Sequence, residues 1–230
     1  MILKNKRLPF NNKALDEMLG GGIEYGSLTN LYGPPGSGKT NLAIIASISC
    51  VKEGKRVVYI DTEGGFSPER LAQISKDFEN VWKNILLIEP KTFEEQDKVI
   101  RGLEKFLNNV GLVVLDSLVN LYRLELDEKN FHQVNKKLAN QLAILSKISR
   151  EKNIPVLITN QVYSDSNGIQ PVSRDITKYW SKCLIELVKL EKGRRVAILK
   201  KHRSLPEGRE AHFQITQDGI ISVERKFKIF

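Results

Sequence analysis

Short, almost wholly apolar runs alternate along the chain with longer segments in which apolar residues recur every three or four positions. The short runs are Leu28–Tyr32, Val57–Asp61, Ile85–Ile88, Leu112–Asp116 and Val156–Asn160. A strand buried on both faces reads as a near-continuous apolar run, so this pattern predicts parallel strands inside a sheet. The longer segments Lys39–Lys52, Pro68–Lys76, Phe93–Leu107 and Phe131–Lys152 predict the helices between them. Two of these carry start signals. Ser67 precedes Pro68 at a first helical position, and Thr92 stands three residues before Glu95 as a capping box. Strand and helix in alternation predict an α/β fold, a mostly parallel twisted sheet flanked by helices.

After Gln161 the texture changes. Residues 164–173 are polar and turn-rich and predict a loop. Beyond them, Leu184–Leu190 and Val196–Lys200 flank Glu191-Lys192-Gly193-Arg194, and Phe213–Ile215 and Ile220–Val223 flank Gln217-Asp218-Gly219. Both patterns predict hairpins, hence an antiparallel C-terminal extension of the same sheet. With no repeat and no linker composition, a single domain over residues 1–230 is expected.

Composition narrows the class. The chain has 230 residues, 41% hydrophobic and 27% charged, which supports a sizeable core and excludes collagen-like or largely disordered readings. Cys50 and Cys183 have no Cys or His at ligand spacing, so neither a disulfide framework nor a zinc site is expected, and a reducing, cytoplasmic setting is. No run of about 18 apolar residues predicts a membrane span, and no signal peptide is read. The net charge of +9 is uneven: residues 172–230 hold 14 Lys and Arg against 7 Asp and Glu. That excess favours a polyanionic partner, although a solvated basic surface fits the number as well.

The chemistry begins at Gly33-Pro34-Pro35-Gly36-Ser37-Gly38-Lys39-Thr40, a complete G-x-x-x-x-G-K-T between a predicted strand and a predicted helix. Its glycines let successive backbone N–H groups face one centre, and the helix adds its positive N-terminal end, which makes a phosphate cradle. Lys39 is placed to reach the β and γ phosphates and Thr40 to put its hydroxyl on Mg²⁺. The apolar run Leu112-Val113-Val114-Leu115 delivers Asp116 as the second acid, holding Mg²⁺ through water. Glu63, just past the strand ending at Asp61, is the candidate base that polarises an attacking water. Spacing alone leaves a second reading of equal weight, in which Asp61 and Glu63 merely cap the following turn.

Several further runs carry a resemblance. Asp61-Thr62-Glu63-Gly64-Gly65-Phe66-Ser67-Pro68-Glu69-Arg70-Leu71, Asp116-Ser117 with Leu121-Tyr122-Arg123, and Thr159-Asn160-Gln161-Val162 resemble the RecA/Rad51 recombinase family in the same order. So do Leu19-Gly20-Gly21-Gly22-Ile23-Glu24-Tyr25-Gly26 upstream and Leu205-Pro206-Glu207 with Asp218-Gly219-Ile220 downstream. The resemblance implies a RecA-type P-loop NTPase core, ATP and Mg²⁺ as cofactors, and a role in homologous recombination and DNA repair. It favours catalysis for Glu63. It implies that Gln161 senses the γ-phosphate and opens the second DNA-binding loop, from Val162 to about Lys182, whose basic residues are Arg174, Lys178 and Lys182. The first DNA loop follows Asp116, with Arg123 as its phosphate contact.

Departures from the family are as informative. The chain begins about ten residues before the core, without the family's N-terminal DNA-binding domain or its polymerisation linker, and so resembles the family's short archaeal paralogues. Such a paralogue is expected to bind single-stranded or branched DNA and to hydrolyse ATP slowly. The resemblance further implies that it assists the main recombinase, works alongside a Holliday-junction resolvase and forms homo-oligomers of low order at most. Lys200-Lys201-His202-Arg203 stands where archaeal and eukaryotic recombinases carry an acidic residue. It reads as a clamp on a neighbour's ATP, as a DNA contact, or as a solvated strand end. Two rival functions remain: a KaiC-like signalling ATPase of the same fold, and a nucleotide-gated adaptor that does not hydrolyse.

Overall fold

The computed structural model describes residues 6–165, 168–171 and 174–224, and the side chains of residues 163–174 lie outside that description. A two-stranded ribbon, β1 (Arg7–Leu8) with β2 (Ile23–Glu24), brackets the short helix α1 (Lys13–Met18). Then come β3 (Leu28–Tyr32), α2 (Lys39–Lys52), β4 (Arg56–Asp61), α3 (Pro68–Ile74), α4 (Phe78–Lys83), β5 (Ile85–Ile88) and α5 (Phe93–Arg101). The chain continues with β6 (Val110–Asp116), α6 (Asn120–Glu125), α7 (Phe131–Lys152), β7 (Val156–Asn160), β8 (Val162–Asp165), β9 (Gly168–Pro171) and α8 (Arg174–Trp180). It ends in β10 (Cys183–Lys189), β11 (Arg194–His202), β12 (Glu210–Thr216) and β13 (Gly219–Ser222).

Among the described residues nine strands form one sheet in the order β13-β12-β11-β10-β3-β7-β6-β4-β5. From β10 to β5 the pairing is parallel, and from β10 outward to β13 it is antiparallel. The expected strands and both C-terminal hairpins are therefore present. One expectation is corrected: residues 164–173 are not a plain loop, since β8 and β9 pair as a hairpin and α8 follows. The helix expected to reach Leu107 stops as an α-helix at Arg101 and, past Gly102, gives way to a 3₁₀ turn over Leu103–Phe106.

Alternate strand residues feed two cores. Val57, Tyr59, Leu112, Val114 and Leu157 face α2, while Val58, Ile60, Val113, Leu115 and Ile158 face α5 and α7. Period-two alternation with both faces apolar is what turns strand sequences into continuous apolar runs. Helix α2 is buried along its whole middle, Leu42 to Val51. A helix with one wet face would carry polar residues there. This one is covered on its outer side by the N-terminal segment, where Phe10 and Asn11 lie against Ile45, Ile48 and Ser49, and the Asn11 amide donates to Ser49 Oγ at 2.6 Å.

Arg70 explains part of the motif that follows Asp61. From α3 its guanidinium donates to Asn41 Oδ1 (2.8 Å) on α2 and to the carbonyls of Thr216 (2.8 Å), Gln217 (2.6 Å) and Gly219 (3.3 Å) in the β12–β13 turn. One planar cation thus ties the edge hairpin to the helix that begins at the Gly-rich loop. Arg70→Ala is expected to lower stability by about 2–3 kcal/mol, on the scale of hydrogen bonds to a charged group. Arg70→Lys should recover only part of this, for want of the fork. Urea unfolding of both variants checks it; a change under about 0.5 kcal/mol for Arg70→Ala would refute the clamp.

Candidate active site

Strands β3, β4, β6 and β7 run parallel and end at one edge of the sheet, so the residues just past their ends gather there. Gly33–Thr40 follows β3, Glu63 follows β4, Asp116 closes β6 and Gln161 follows β7. Pro35, Gly36, Gly38, Lys39, Thr40, Glu63, Asp116 and Gln161 line one cleft of about 390 Å³. Asn41, Arg195 and Ile215 line it with them.

The Gly-rich loop is shaped by two backbone requirements. Gly38, at the N-cap of α2, has φ 102°, a left-handed value that side chains resist, and Gly36 has φ 70°. Gly33 is glycine for lack of room, since a Cβ there would lie 2.4 Å from the Leu187 carbonyl oxygen of β10. Lys39 Nζ donates to the carbonyls of Gly33 (2.9 Å) and Pro34 (3.2 Å). Burial holds its pKa below the ordinary lysine value, opposed by the carboxylates of Glu63 and Asp116. On the other side of the loop, Arg195 of β11 donates through Nη2 (2.8 Å) and Nε (3.2 Å) to the Gly36 carbonyl.

Each carboxylate has its own environment. Asp116 is buried, which raises its pKa, while hydrogen bonds from Thr159, Thr40 and Tyr59 pull it down. Tyr59 donates at 2.8 Å, and Thr159 donates to the other oxygen. Asp61 accepts four backbone N–H groups, from Glu63 (3.0 Å), Gly64 (2.9 Å), Gly65 (3.3 Å) and Phe66 (2.8 Å). It is the residue that shapes the turn. Glu63 does something different: its Oε1 accepts from Ser117 Oγ and from Gln161 Nε2 (2.9 Å), at the cleft wall. Gln161 Oε1 in turn accepts from Arg123 Nη1 at 2.6 Å. The hydroxyl of Thr40 and the carboxylate of Asp116 line the cleft together and offer an all-oxygen donor set of the kind Mg²⁺ takes.

The expected polyanion contacts are not brought together. Arg123 stands at the cleft edge on α6, whereas Lys178, Lys182 and Lys200–Arg203 lie at the opposite edge of the sheet. Lys182 N donates to Leu28 O at the start of β3, and His202 is the register partner of Cys183, itself level with Thr29. Lys182 is exposed; Lys201 Nζ donates to the Lys178 carbonyl (2.7 Å). Lys200 pairs with Glu186 (3.4 Å) and Arg203 with Glu24 (2.9 Å). His202 corrects an expectation: its side chain is 1% exposed, held between Arg7 and Glu24, so it cannot meet a polyanion. The side chain of Arg174 lies outside the described residues. Tyr179 is 73% exposed beside the half-buried Trp180.

Arg195, Ile215 and Asn41 are site residues that the motifs do not announce. Arg195 sits two residues past a hairpin turn like any solvated arginine. Only the strand order shows that β10, lying parallel beside β3, returns the start of β11 to the Gly-rich loop.

Comparisons with known proteins show what the chain is similar to. The Rad51 family model matches residues 7–223. The DNA repair and recombination protein RadB of Methanococcus maripaludis is 45% identical over 219 residues, covering 93% of this chain and all of that protein. RadB of Methanobrevibacter smithii is 42% identical over 228 residues, 94% of this chain and 96% of its own. A solved structure described as the RadB recombinase superposes with a TM-score of 0.82 at 41% identity, over 94% of this chain and 100% of that one.

The bond from Arg195 to Gly36 makes a prediction about the loop. Arg195→Ala is expected to weaken binding of a fluorescent adenine nucleotide about tenfold while leaving the unfolding midpoint nearly unchanged, since the two hydrogen bonds that anchor the Gly36 carbonyl are lost. Unchanged affinity in an equilibrium titration would show that the loop needs no anchor.

Proposed function

The chain belongs to the Rad51 family, and on that footing we propose that it binds ATP with Mg²⁺ at the Gly33–Thr40 cleft, binds DNA, and assists homologous recombination and repair while hydrolysing ATP slowly. The observation that carries this is the convergence of one Gly-rich loop, two carboxylates and one amide from four strand ends on a single cleft. In this reading the backbone of Gly36–Thr40 and Lys39 take the phosphates. Thr40, and Asp116 through water, would hold Mg²⁺, which when bound neutralises charge on the phosphate oxygens. Glu63 orients the attacking water, and Gln161 supplies a neutral donor to the γ-phosphate.

Slow turnover has a physical reason. Among the described residues the cations lining the cleft are Lys39 and Arg195, and Arg195 is engaged with Gly36. The basic run Lys200–Arg203 is at the far edge and cannot serve the same chain's nucleotide. Besides Mg²⁺, transition-state charge therefore meets one cation of the chain, Lys39, once it leaves the Gly33 and Pro34 carbonyls, and a missing second cation costs orders of magnitude in phosphoryl transfer. The RadB relatives are named for DNA repair and recombination, which supports this reading over a KaiC-like signalling ATPase. Partnership with a principal recombinase and a junction resolvase, a cytoplasmic setting and a small homo-oligomer complete the proposal.

Two variants and a salt series test it. Lys39→Ala should abolish measurable ATP binding. Glu63→Gln should keep ATP binding and lower hydrolysis about a hundredfold or more, the range of a lost general base. A chain that works as a non-hydrolysing adaptor would instead keep its repair phenotype with Glu63→Gln. Binding of single-stranded DNA should weaken steeply from low to physiological salt. A purified protein that binds neither ATP nor single-stranded DNA at low salt would end the proposal.

A further inference from the structure

Arg123 belongs to two settings at once. Its place on α6, just past the strand that ends in Asp116, makes it a phosphate contact in the reading above. Its guanidinium nevertheless donates to Gln161 Oε1 at 2.6 Å, the Gln161 amide donates to Glu63 Oε1 at 2.9 Å, and the same Glu63 oxygen accepts from Ser117. Among the described residues no carboxylate pairs with Arg123, and its side chain is exposed.

The chemistry of a primary amide makes this chain directional. One end of Gln161 only accepts and the other only donates. Arg123 can bond only the accepting end, so it fixes which end faces Glu63. Turned the other way, the amide oxygen would face a carboxylate, with no proton between them. A γ-phosphate oxygen is also only an acceptor, and it competes with Glu63 for the same amide N–H groups. Swinging the amide toward phosphate moves its oxygen away from Arg123, because both ends are carried on one planar group.

We propose that Arg123 is the positioning residue that couples the nucleotide cleft to nucleic acid. Bonded to Gln161 it keeps the amide on Glu63; engaged by a nucleic-acid phosphate, it releases the amide for the γ-phosphate and leaves Glu63 free to take the water. Coupling between two binding sites is reciprocal, so a γ-phosphate that captures Gln161 must free Arg123 and tighten nucleic-acid binding by the same factor. This rests on the ATP and DNA reading given above. What it adds is that Arg123 acts through Gln161 rather than only as one more cation.

The test uses the full chain with Mg²⁺, a labelled single-stranded oligonucleotide, and either a slowly hydrolysed ATP analogue or ADP. The wild-type protein is expected to bind the oligonucleotide about five- to tenfold more tightly with the analogue than with ADP, the lower range of allosteric coupling. Arg123→Ala and Arg123→Gln should each bring that ratio to about one without loss of nucleotide binding; Gln161→Ala, measured at saturating nucleotide, should bring it to about one as well, and the Arg123→Ala/Gln161→Ala double variant should lower it no further. Arg123 variants that weaken oligonucleotide binding equally with both nucleotides, leaving the ratio intact, would overturn the coupling and leave Arg123 a plain phosphate contact. Wild-type protein that binds both ligands with no coupling would overturn this inference alone. Failure to bind either ligand would instead overturn the function on which it rests.

Discussion

A carboxylate buried at the end of a central strand is tolerated only when its oxygens are hydrogen-bonded, and Asp116 obtains its donors from the two strands beside it. Tyr59 comes from β4 on one side and Thr159 from β7 on the other. A slip of one residue in either neighbouring strand would turn these donors to the opposite face of the sheet and strand the charge. The same two bonds therefore set strand register at the edge where the Gly-rich loop follows β3. Asp61, in register with Asp116 on the adjacent strand, plays the complementary part by collecting four backbone N–H groups into the turn that carries Glu63.

The fold was legible where burial is total. Strands such as Val57–Asp61 and Val156–Asn160 are apolar on both faces, and only a doubly covered parallel sheet asks for that. Elements whose stability comes from distant contacts were not legible. Helix α1 has six residues and is held by Asn12, whose side chain accepts from Leu15 N, and by the contact of Phe10 with α2. Hairpin β8–β9 falls in polar sequence that local preference assigns to a loop. The site divided in the same way. The Gly-rich motif announces itself because its glycines answer backbone demands that no other residue meets, whereas Arg195 becomes a site residue only through strand order.

Geometry also separates roles that spacing could not. Asp61 and Glu63 are two residues apart beside one turn, and either could have capped it. Asp61 is buried and does not line the cleft; its oxygens accept four backbone N–H groups of the turn, three on Oδ1 and one on Oδ2. The Glu63 carboxylate makes no bond to that turn and keeps one oxygen without a described partner at the cleft wall. Capping and chemistry are divided between neighbours because one carboxylate cannot satisfy four amides and also hold a mobile water.

The distribution of positive charge carries the last step. The excess of the chain's second half is split by the sheet: Arg195 is at the cleft edge, and Lys182 and Lys200–Arg203 are at the other. From Leu28 to Tyr32, the length of β3, is about 13 Å, and from Arg195 to Lys201 along β11 about 20 Å at ordinary strand rise. Exposed charges that far apart are screened from one another at physiological salt, where the Debye length is about 8 Å. The two groups thus cannot act as one field, and a net charge of +9 overstates what any single ligand feels. A strand of nucleic acid touching both Arg123 and Lys182 would have to run along the sheet for about four phosphates at duplex spacing. The far-edge cations are further discounted by Glu186 and Glu24, which neutralise Lys200 and Arg203 where they stand. Lys182, exposed and without a described carboxylate, is what remains to meet a phosphate there.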